Sequence, residues 1–400
     1  MFEKQIICSN CGRSYPADRM IFRCERCSGS LEVIYDYSKL KRVVTKEKLR
    51  AREFLHSRYL EMFPVRKLVT LNEGGTALLR SRNIERELKL RFELYFKYEA
   101  VNPTGSFKDR GSSVEVAKAL EFRVKRVVCA STGNMGASVA AYSAIANVPC
   151  YIFIPGDAAT TKMKQILAYG AKLYKIPGDY AKAAELVEEA FNTHKAYLLG
   201  DYLYRREGSK SVGYEILDQM GFRADGLQIV TPVGNGTLIS GVAKACKEFY
   251  IMGLINRKPK ISGVQSRGCD PVYKAFKSCG KIVPIRHPDI ISKAIECGNP
   301  LDGERALRAI QDSYGFSESV TDTEILKARE MMARREGLFT EPSGAVPLAG
   351  VIKNRHDIPG GSKVVCVVTG HGLKSPTTAV HGREKRISGD PKVLKRVFRE

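Results

Sequence analysis

No apolar run in this chain of 400 residues reaches the roughly 18–20 residues of a membrane-spanning helix, which argues against a helical membrane protein. The opening Met-Phe-Glu-Lys-Gln-Ile-Ile-Cys lacks the apolar stretch of a secretory signal, so a cytoplasmic chain is expected. In that compartment structural disulfides are not expected, despite 11 cysteines. Negative charge is the scarcer sign: 43 Asp and Glu stand against 65 Lys and Arg, a net charge of +22. Such a surface attracts polyanions and steers small anions, and charge alone decides neither for nucleic acid nor for phosphorylated metabolites. The G-x-x-x-x-G-K-[ST] loop of nucleoside triphosphatases is absent, and no glycine run reads as a dinucleotide fingerprint. With 44% hydrophobic and 27% charged residues, the composition is that of a soluble protein with room for two or three domains.

Seven cysteines (Cys129, Cys150, Cys246, Cys269, Cys279, Cys297 and Cys366) are scattered and read as core or inert thiols. The other four are paired. Cys8-Ser-Asn-Cys11 and Cys24-Glu-Arg-Cys27 form two knuckles separated by twelve residues. Each knuckle aims two thiolates at one point, and four soft ligands in a tetrahedron suit zinc. Gly12 and Ser28-Gly29 supply turn freedom, and β-prone runs at 5–7 and 31–35 flank the pairs. A zinc ribbon is therefore expected over residues 1–40. Four thiolates leave no open coordination position, so its role is structural. The ligands lie far from the other motifs in sequence, so metal loss is expected to affect the ribbon before the chemistry. Ribbons also occur in nucleic-acid proteins, and that alternative stays open on these residues. Residues 41–70, rich in Lys, Arg and Glu at helical spacing, predict a linker helix; residues 381–400 form a basic tail.

From residue 71 onward the chain alternates strand and helix. Apolar β-rich runs fall at 126–131, 150–154, 172–176, 227–230, 260–264 and 364–368, with helical stretches at 137–146, 180–192 and 323–336. This predicts an α/β protein with mostly parallel, buried strands, whose sites form in loops at strand carboxyl ends. Asn102-Pro-Thr-Gly-Ser-Phe-Lys-Asp-Arg-Gly111 is an irregular turn that opens a helix, with Ser106 as the expected cap and Lys108 in the first turn. The helix dipole there disfavours an ammonium and favours the neutral amine that a Schiff base requires.

Three further loops carry unusual residues. Ser131-Thr132-Gly133-Asn134 offers hydroxyls and helix-start N–H groups for a carboxylate or phosphate, and an amide for a ring oxygen. Gly234-Asn235-Gly236-Thr237 suits one small phosphate at a helix start. Thr369-Gly-His371-Gly presents a hydroxyl that can donate to an unprotonated pyridine nitrogen; a histidine between glycines reads as structural before catalytic. Together with Lys108 these loops describe a pyridoxal-phosphate site.

These segments, with Leu71-Asn-Glu-Gly-Gly-Thr76 and Gly298-Asn-Pro300, make residues 65–380 resemble the fold-type II pyridoxal-phosphate enzymes. Within them the chain is most similar to the threonine synthases that bear a zinc ribbon. The resemblance implies two parallel-sheet α/β subdomains within residues 71–380, the smaller and mobile one at about 115–205, and a homodimer. It implies that Lys108 holds pyridoxal 5'-phosphate, Asn134 meets the ring hydroxyl, residues 234–237 hold the phosphate and Thr369 meets the ring nitrogen. Ser131 and Thr132 would take the substrate carboxylate, and Arg205 and Lys210 the substrate phosphate. The activity implied is conversion of O-phosphohomoserine and water to threonine and phosphate. The chain departs from the family pattern at Gly200 and Tyr202, where serine and asparagine are common, and at Leu238, which replaces a polar residue. Glu341-Pro-Ser-Gly-Ala345 reads like the dehydratases of the superfamily, so the alternative is a threonine or serine dehydratase, or another β-elimination or β-replacement enzyme acting on a hydroxy or phosphorylated amino acid. No specific nucleic-acid partner and no membrane are expected.

Overall fold

Runs of β-branched residues buried on both faces set the architecture. The computed structural model describes residues 2–131, 133–155, 161–177 and 180–375. The N-terminal segment is a small antiparallel sheet of β1 (Glu3–Cys8), β2 (Ser14–Pro16) and β3 (Leu31–Tyr35), in the order β2-β1-β3. After it come β4 (Leu78–Arg80) and β5 (Glu93–Tyr98), which belong to the largest sheet. A second sheet is built from β6 (Val127–Ala130), β7 (Cys150–Pro155), β8 (Lys172–Ile176) and β9 (Tyr197–Leu198), all parallel, in the order β8-β7-β6-β9. The chain then returns to the largest sheet with β10 (Leu227–Pro232), β11 (Lys260–Ser266), β12 (Ser317–Val320) and β13 (Lys363–Val368). Its order is β12-β11-β10-β13-β5-β4, parallel except where β4 closes the edge on β5.

Period-2 alternation divides each central strand between two cores. Ile229, Val365 and Val367 face a core shared with the helices Ser211–Gln219 and Thr237–Ile251. Val230, Val364, Cys366 and Val368 face the other core, against the helix Pro342–Lys353. The smaller sheet has its own core with the helix Asn134–Ile145. The helix Lys108–Glu121 joins the two bodies, with Val114 and Ala117 in the first core and Val116 and Ala119 in that of the smaller sheet. The cysteine ribbon is no free appendage: Ile6, Leu31, Val33 and Tyr35 are buried in the first core.

The 41–70 segment differs from the single helix expected. It forms two short helices, Tyr37–Val43 and Lys46–Arg50, and a 3-10 turn at His56–Met62. Val44 and Thr45 are extended, and the Thr45 hydroxyl accepts from the Lys48 N–H at 3.3 Å, so a new cap interrupts the helix. The tail at 381–400 lies outside the described residues.

Candidate active site

The site begins with a buried ion cluster that fixes the turn before Lys108. Lys97 on β5, Glu99, Arg110 and Glu215 are all fully buried. Arg110 donates to Glu99 at 2.6 and 2.7 Å and to Glu215 at 2.6 and 2.8 Å, and Lys97 reaches Glu215 at 2.6 Å. Two cations and two carboxylates leave no net charge in the core, which is what burial of ions requires. Asp109 closes the turn by accepting from the Thr104 N–H (2.7 Å) and hydroxyl (2.6 Å). Burial pushes its carboxyl up to about 6, against those hydrogen bonds. Gly105, at φ +82°, takes the left-handed conformation the turn needs.

That turn is joined to the loop after β13. The Phe107 N–H donates to the Thr369 carbonyl at 3.0 Å, the His371 N–H donates to the Gly105 carbonyl at 3.0 Å, and Ser106 bridges to Gly370. Ser106 therefore does not cap the helix as expected. Its backbone is committed to Gly370, its hydroxyl is buried without a partner, and Phe107 occupies the cap position with no side-chain bond. The His371 ring accepts from the Leu373 N–H at 3.2 Å and caps a 3-10 turn, a structural duty.

Lys108 opens the helix, and its Nζ lies 3.1 Å from Asp201 Oδ1 with both side chains partly accessible. Burial opposes ionisation of Asp201, but the Lys108 and Arg205 cations hold its carboxyl below the usual range. Gly236 sits at φ +90° at the start of the helix Thr237–Ile251, which aims free N–H groups and the dipole into the loop. A Cβ on Gly234 would lie 2.9 Å from Ile295 Cα, and one on Gly236 2.7 Å from the Asp302 carbonyl oxygen, so the cradle is pressed closely from outside. Asn235 turns its side chain outward, accepting from the Leu301 N–H at 2.7 Å. The Ser240 hydroxyl, in the first turn of the helix, is buried without a partner.

Asn134 donates to Glu341 at 2.6 Å, and Glu341 also accepts from Lys162 at 3.0 Å. A Cβ on Gly370 would strike Glu341, so Asn134 and Glu341 stand against the Thr369 loop. Asn134 Oδ1 is buried with no donor. The Ser131 hydroxyl accepts from the N–H groups of Gly133 (3.3 Å) and Gly136 (3.1 Å), folding the loop over the helix start. Thr132 lies outside the described residues. A cavity of about 380 Å³, bounded by Gly105, Lys162, His371 and Lys374, opens beside the Lys108 turn.

The profile of the family described as "Pyridoxal-phosphate dependent enzyme" matches residues 69–370. The chain belongs to that family. It is 43% identical over 403 residues to a threonine synthase of Methanocaldococcus jannaschii, covering 98% of this chain and 99% of the relative. A threonine synthase of Methanosarcina acetivorans is 42% identical, with 93% of each chain covered. Among solved structures, maize serine racemase superposes with a TM-score of 0.65 at 24% identity, over 76% of this chain and 89% of that one, and shares the fold. These comparisons agree with the two-subdomain α/β architecture of the fold-type II enzymes.

As a member of this family the chain takes pyridoxal phosphate, and the residues present fit it. An accessible lysine amine, an unfilled buried acceptor on Asn134 and a glycine loop at a helix start supply what an aldehyde, a ring hydroxyl and a phosphate need.

The structure does not bring every expected residue into this site. Arg205 is fully buried; its guanidinium is salt-bridged to Glu115 and donates to Ser112, the Lys108 carbonyl and the Gly200 carbonyl, each of these three at 3.2 Å. It braces the Lys108 helix from behind. Lys210 is directed at the ribbon instead, 2.7 Å from Glu207 and 3.1 Å from Glu248, with its ammonium over the Tyr35 ring. Asp201 and Glu341 were not singled out as site residues by the sequence; an acid in the loop after a strand end was the only local signal for Asp201. In the ribbon, the sulfurs of Cys8, Cys11, Cys24 and Cys27 lie within 4.8 Å of one another, a spacing that can hold one metal ion.

Proposed function

We propose that this chain is a threonine synthase, converting O-phosphohomoserine and water to threonine and phosphate, with zinc on its four ribbon cysteines. The observation that carries the reading is the match to threonine synthases over 98% and 93% of the chain. Bound at Lys108, pyridoxal phosphate supplies an electron sink for carbanions at the substrate's Cα and Cβ. The Lys108 amine would be the group that moves protons at those two carbons. Asp201 holds that amine in position and keeps a carboxylate beside its protonated form. Residues 234–237 take the cofactor phosphate, Asn134 accepts the ring hydroxyl, and Thr369 donates to an unprotonated ring nitrogen. Ser131 and Thr132 receive the substrate carboxylate. Four thiolates favour zinc over harder cations. The same reading makes the protein a homodimer.

A second reading is favoured by one observation: Arg205 is fully buried and its guanidinium is engaged by Glu115, Ser112 and backbone carbonyls rather than presented to a substrate phosphate. On that basis the enzyme would eliminate water from serine or threonine and release ammonia. Borohydride reduction followed by peptide mapping tests the cofactor position, with the label expected on Lys108. Phosphate released from O-phosphohomoserine, measured against ammonia released from serine and threonine, decides the reaction. Ammonia without phosphate would overturn the first reading.

A further inference from the structure

We infer that Asp302 is a positioning residue through which the cysteine ribbon sets the shape of the glycine loop, so that metal in the ribbon and cofactor on the loop strengthen one another. The inference rests on the proposed roles of residues 234–237 and of the four cysteines.

Asp302 is fully buried and stands where two parts of the molecule meet. Its carboxylate faces the ribbon. It accepts from the hydroxyl of Ser30, three residues beyond Cys27, at 2.5 Å. It also accepts from Arg206 Nε at 3.0 Å and Nη2 at 2.9 Å. Arg206 in turn donates to the Ser30 hydroxyl at 2.7 Å and to the Leu31 carbonyl. Its backbone faces the glycine loop. The Asp302 N–H donates to the Asn235 carbonyl at 3.0 Å, and its neighbour Leu301 donates to the Asn235 side chain at 2.7 Å. Gly236 has no room for even a Cβ against the Asp302 carbonyl.

Burial makes this contact stiff. Arg206 and Asp302 are a desolvated pair, and such a pair is stable only while its remaining hydrogen bonds are satisfied. Ser30 and the Leu31 carbonyl are two of those partners, and both lie in the ribbon. Leu31 is anchored in the main core, but Ser30 follows the second knuckle closely and its carbonyl accepts from the Ser9 N–H inside the first at 2.9 Å, so knuckles that lose their metal lose the restraint on Ser30. Asp302 and Arg206 must then reorganise, and the segment pressed on Asn235 and Gly236 moves with them. The cofactor phosphate binds through backbone N–H groups, whose alignment depends on that pressure. Coupling of this kind is reciprocal: whatever metal does for cofactor affinity, cofactor does for metal affinity.

The test uses the full chain as parent, Ser30→Ala and Asp302→Asn, each zinc-loaded or stripped with a chelator, titrated with pyridoxal phosphate by absorbance. In the parent, stripping zinc is expected to weaken cofactor binding about tenfold, the change that 1.4 kcal/mol produces. In Ser30→Ala the same treatment is expected to change affinity by less than about threefold, because the hydroxyl shared by Asp302 and Arg206 is gone and only the Leu31 carbonyl still ties Arg206 to the ribbon. Zinc should leave the cofactor-loaded parent more slowly than the cofactor-free one. Ser30→Ala removes one hydroxyl and keeps the Asp302–Arg206 pair, so the cycle can be read even if Asp302→Asn does not fold. Equal cofactor affinity in loaded and stripped parent overturns the inference, as does an undiminished zinc effect in Ser30→Ala. A merely structural clamp would lower melting temperatures and leave the affinities equal. A zinc-loaded parent that binds no cofactor, or cysteines that hold no zinc, would instead refute the assignments on which the inference stands.

Discussion

Replacing Arg110 with methionine tests the claim that a neutral, desolvated ion cluster holds the turn before Lys108. The cluster contains Lys97 and Arg110 against Glu99 and Glu215, all fully buried. Arg110 makes four bonds to the two carboxylates and two longer ones, to Ser211 at 3.1 Å and Thr76 at 3.3 Å. Methionine matches much of its volume and leaves one uncompensated negative charge in the core. Breaking a buried pair in this way costs about 3–5 kcal/mol, a large share of the roughly 5–15 kcal/mol that holds a typical protein folded. Arg110→Lys keeps the charge and loses the fork, so a smaller loss is expected. Arg110→Met combined with Glu99→Gln restores neutrality and should recover about 1–2 kcal/mol of the loss. Urea midpoints at fixed slope measure the stabilities, and borohydride labelling at Lys108 reports the turn itself, since Arg110 lies two residues beyond the lysine. A loss below about 1 kcal/mol for Arg110→Met, or no recovery in the double variant, would refute the charge-balance argument.

The fully buried His56 ring bonds the Ser211 hydroxyl at 2.8 Å, and burial lowers its pKa from 6.5 to about 4. The unfolded chain therefore takes up a proton first, and stability should fall as pH drops from 6.5 to 4, by about 3 kcal/mol in total; an equally steep slope in His56→Gln would contradict this. Metal analysis of a Cys8→Ser, Cys24→Ser variant should find zinc lost, and unchanged zinc content would remove the ribbon site. Gly236→Ala forces a side chain into a left-handed position against the Asp302 carbonyl and is expected to cost about 2–3 kcal/mol and to weaken cofactor binding; wild-type affinity would show the loop to be less confined than its contacts indicate.

What could be read from the sequence was what is local in physical origin. The runs at 227–230 and 364–368 are buried on both faces, so they are apolar throughout save for Gln228, whose amide is satisfied by Ser262, and they stand out. β9, of two residues, and β12, three polar residues and Val320, have no such signature and form because neighbouring strands offer them partners. Lys108 was legible because an amine in the first turn of a helix conflicts with the dipole there. Asp201 was not, because its meaning lies in a contact 93 residues away. Ser106 had the right residue type for a cap, and its backbone was claimed by a loop from the far end of the chain.

The segment 205–210 shows why charge in a motif does not fix its use. Arg205 braces the Lys108 helix, Arg206 holds Asp302 and the ribbon, Glu207 bonds Lys210 and Lys244, and Lys210 also reaches Glu248. All four side chains are buried around the short helix Leu203–Ser209 and its cap Lys210: Arg205 and Arg206 serve different partners, while Glu207 and Lys210 share one ion cluster. A surface helix with this sequence would be solvated, and a substrate-binding one would leave its cations free. Here each cation has a desolvated carboxylate, which secures position more than stability. Lys108, the glycine loop and the ribbon are thereby referred to a single rigid element. A side chain drawn into such a frame can position the reaction without touching the substrate, and its contribution is visible only once its partner is known.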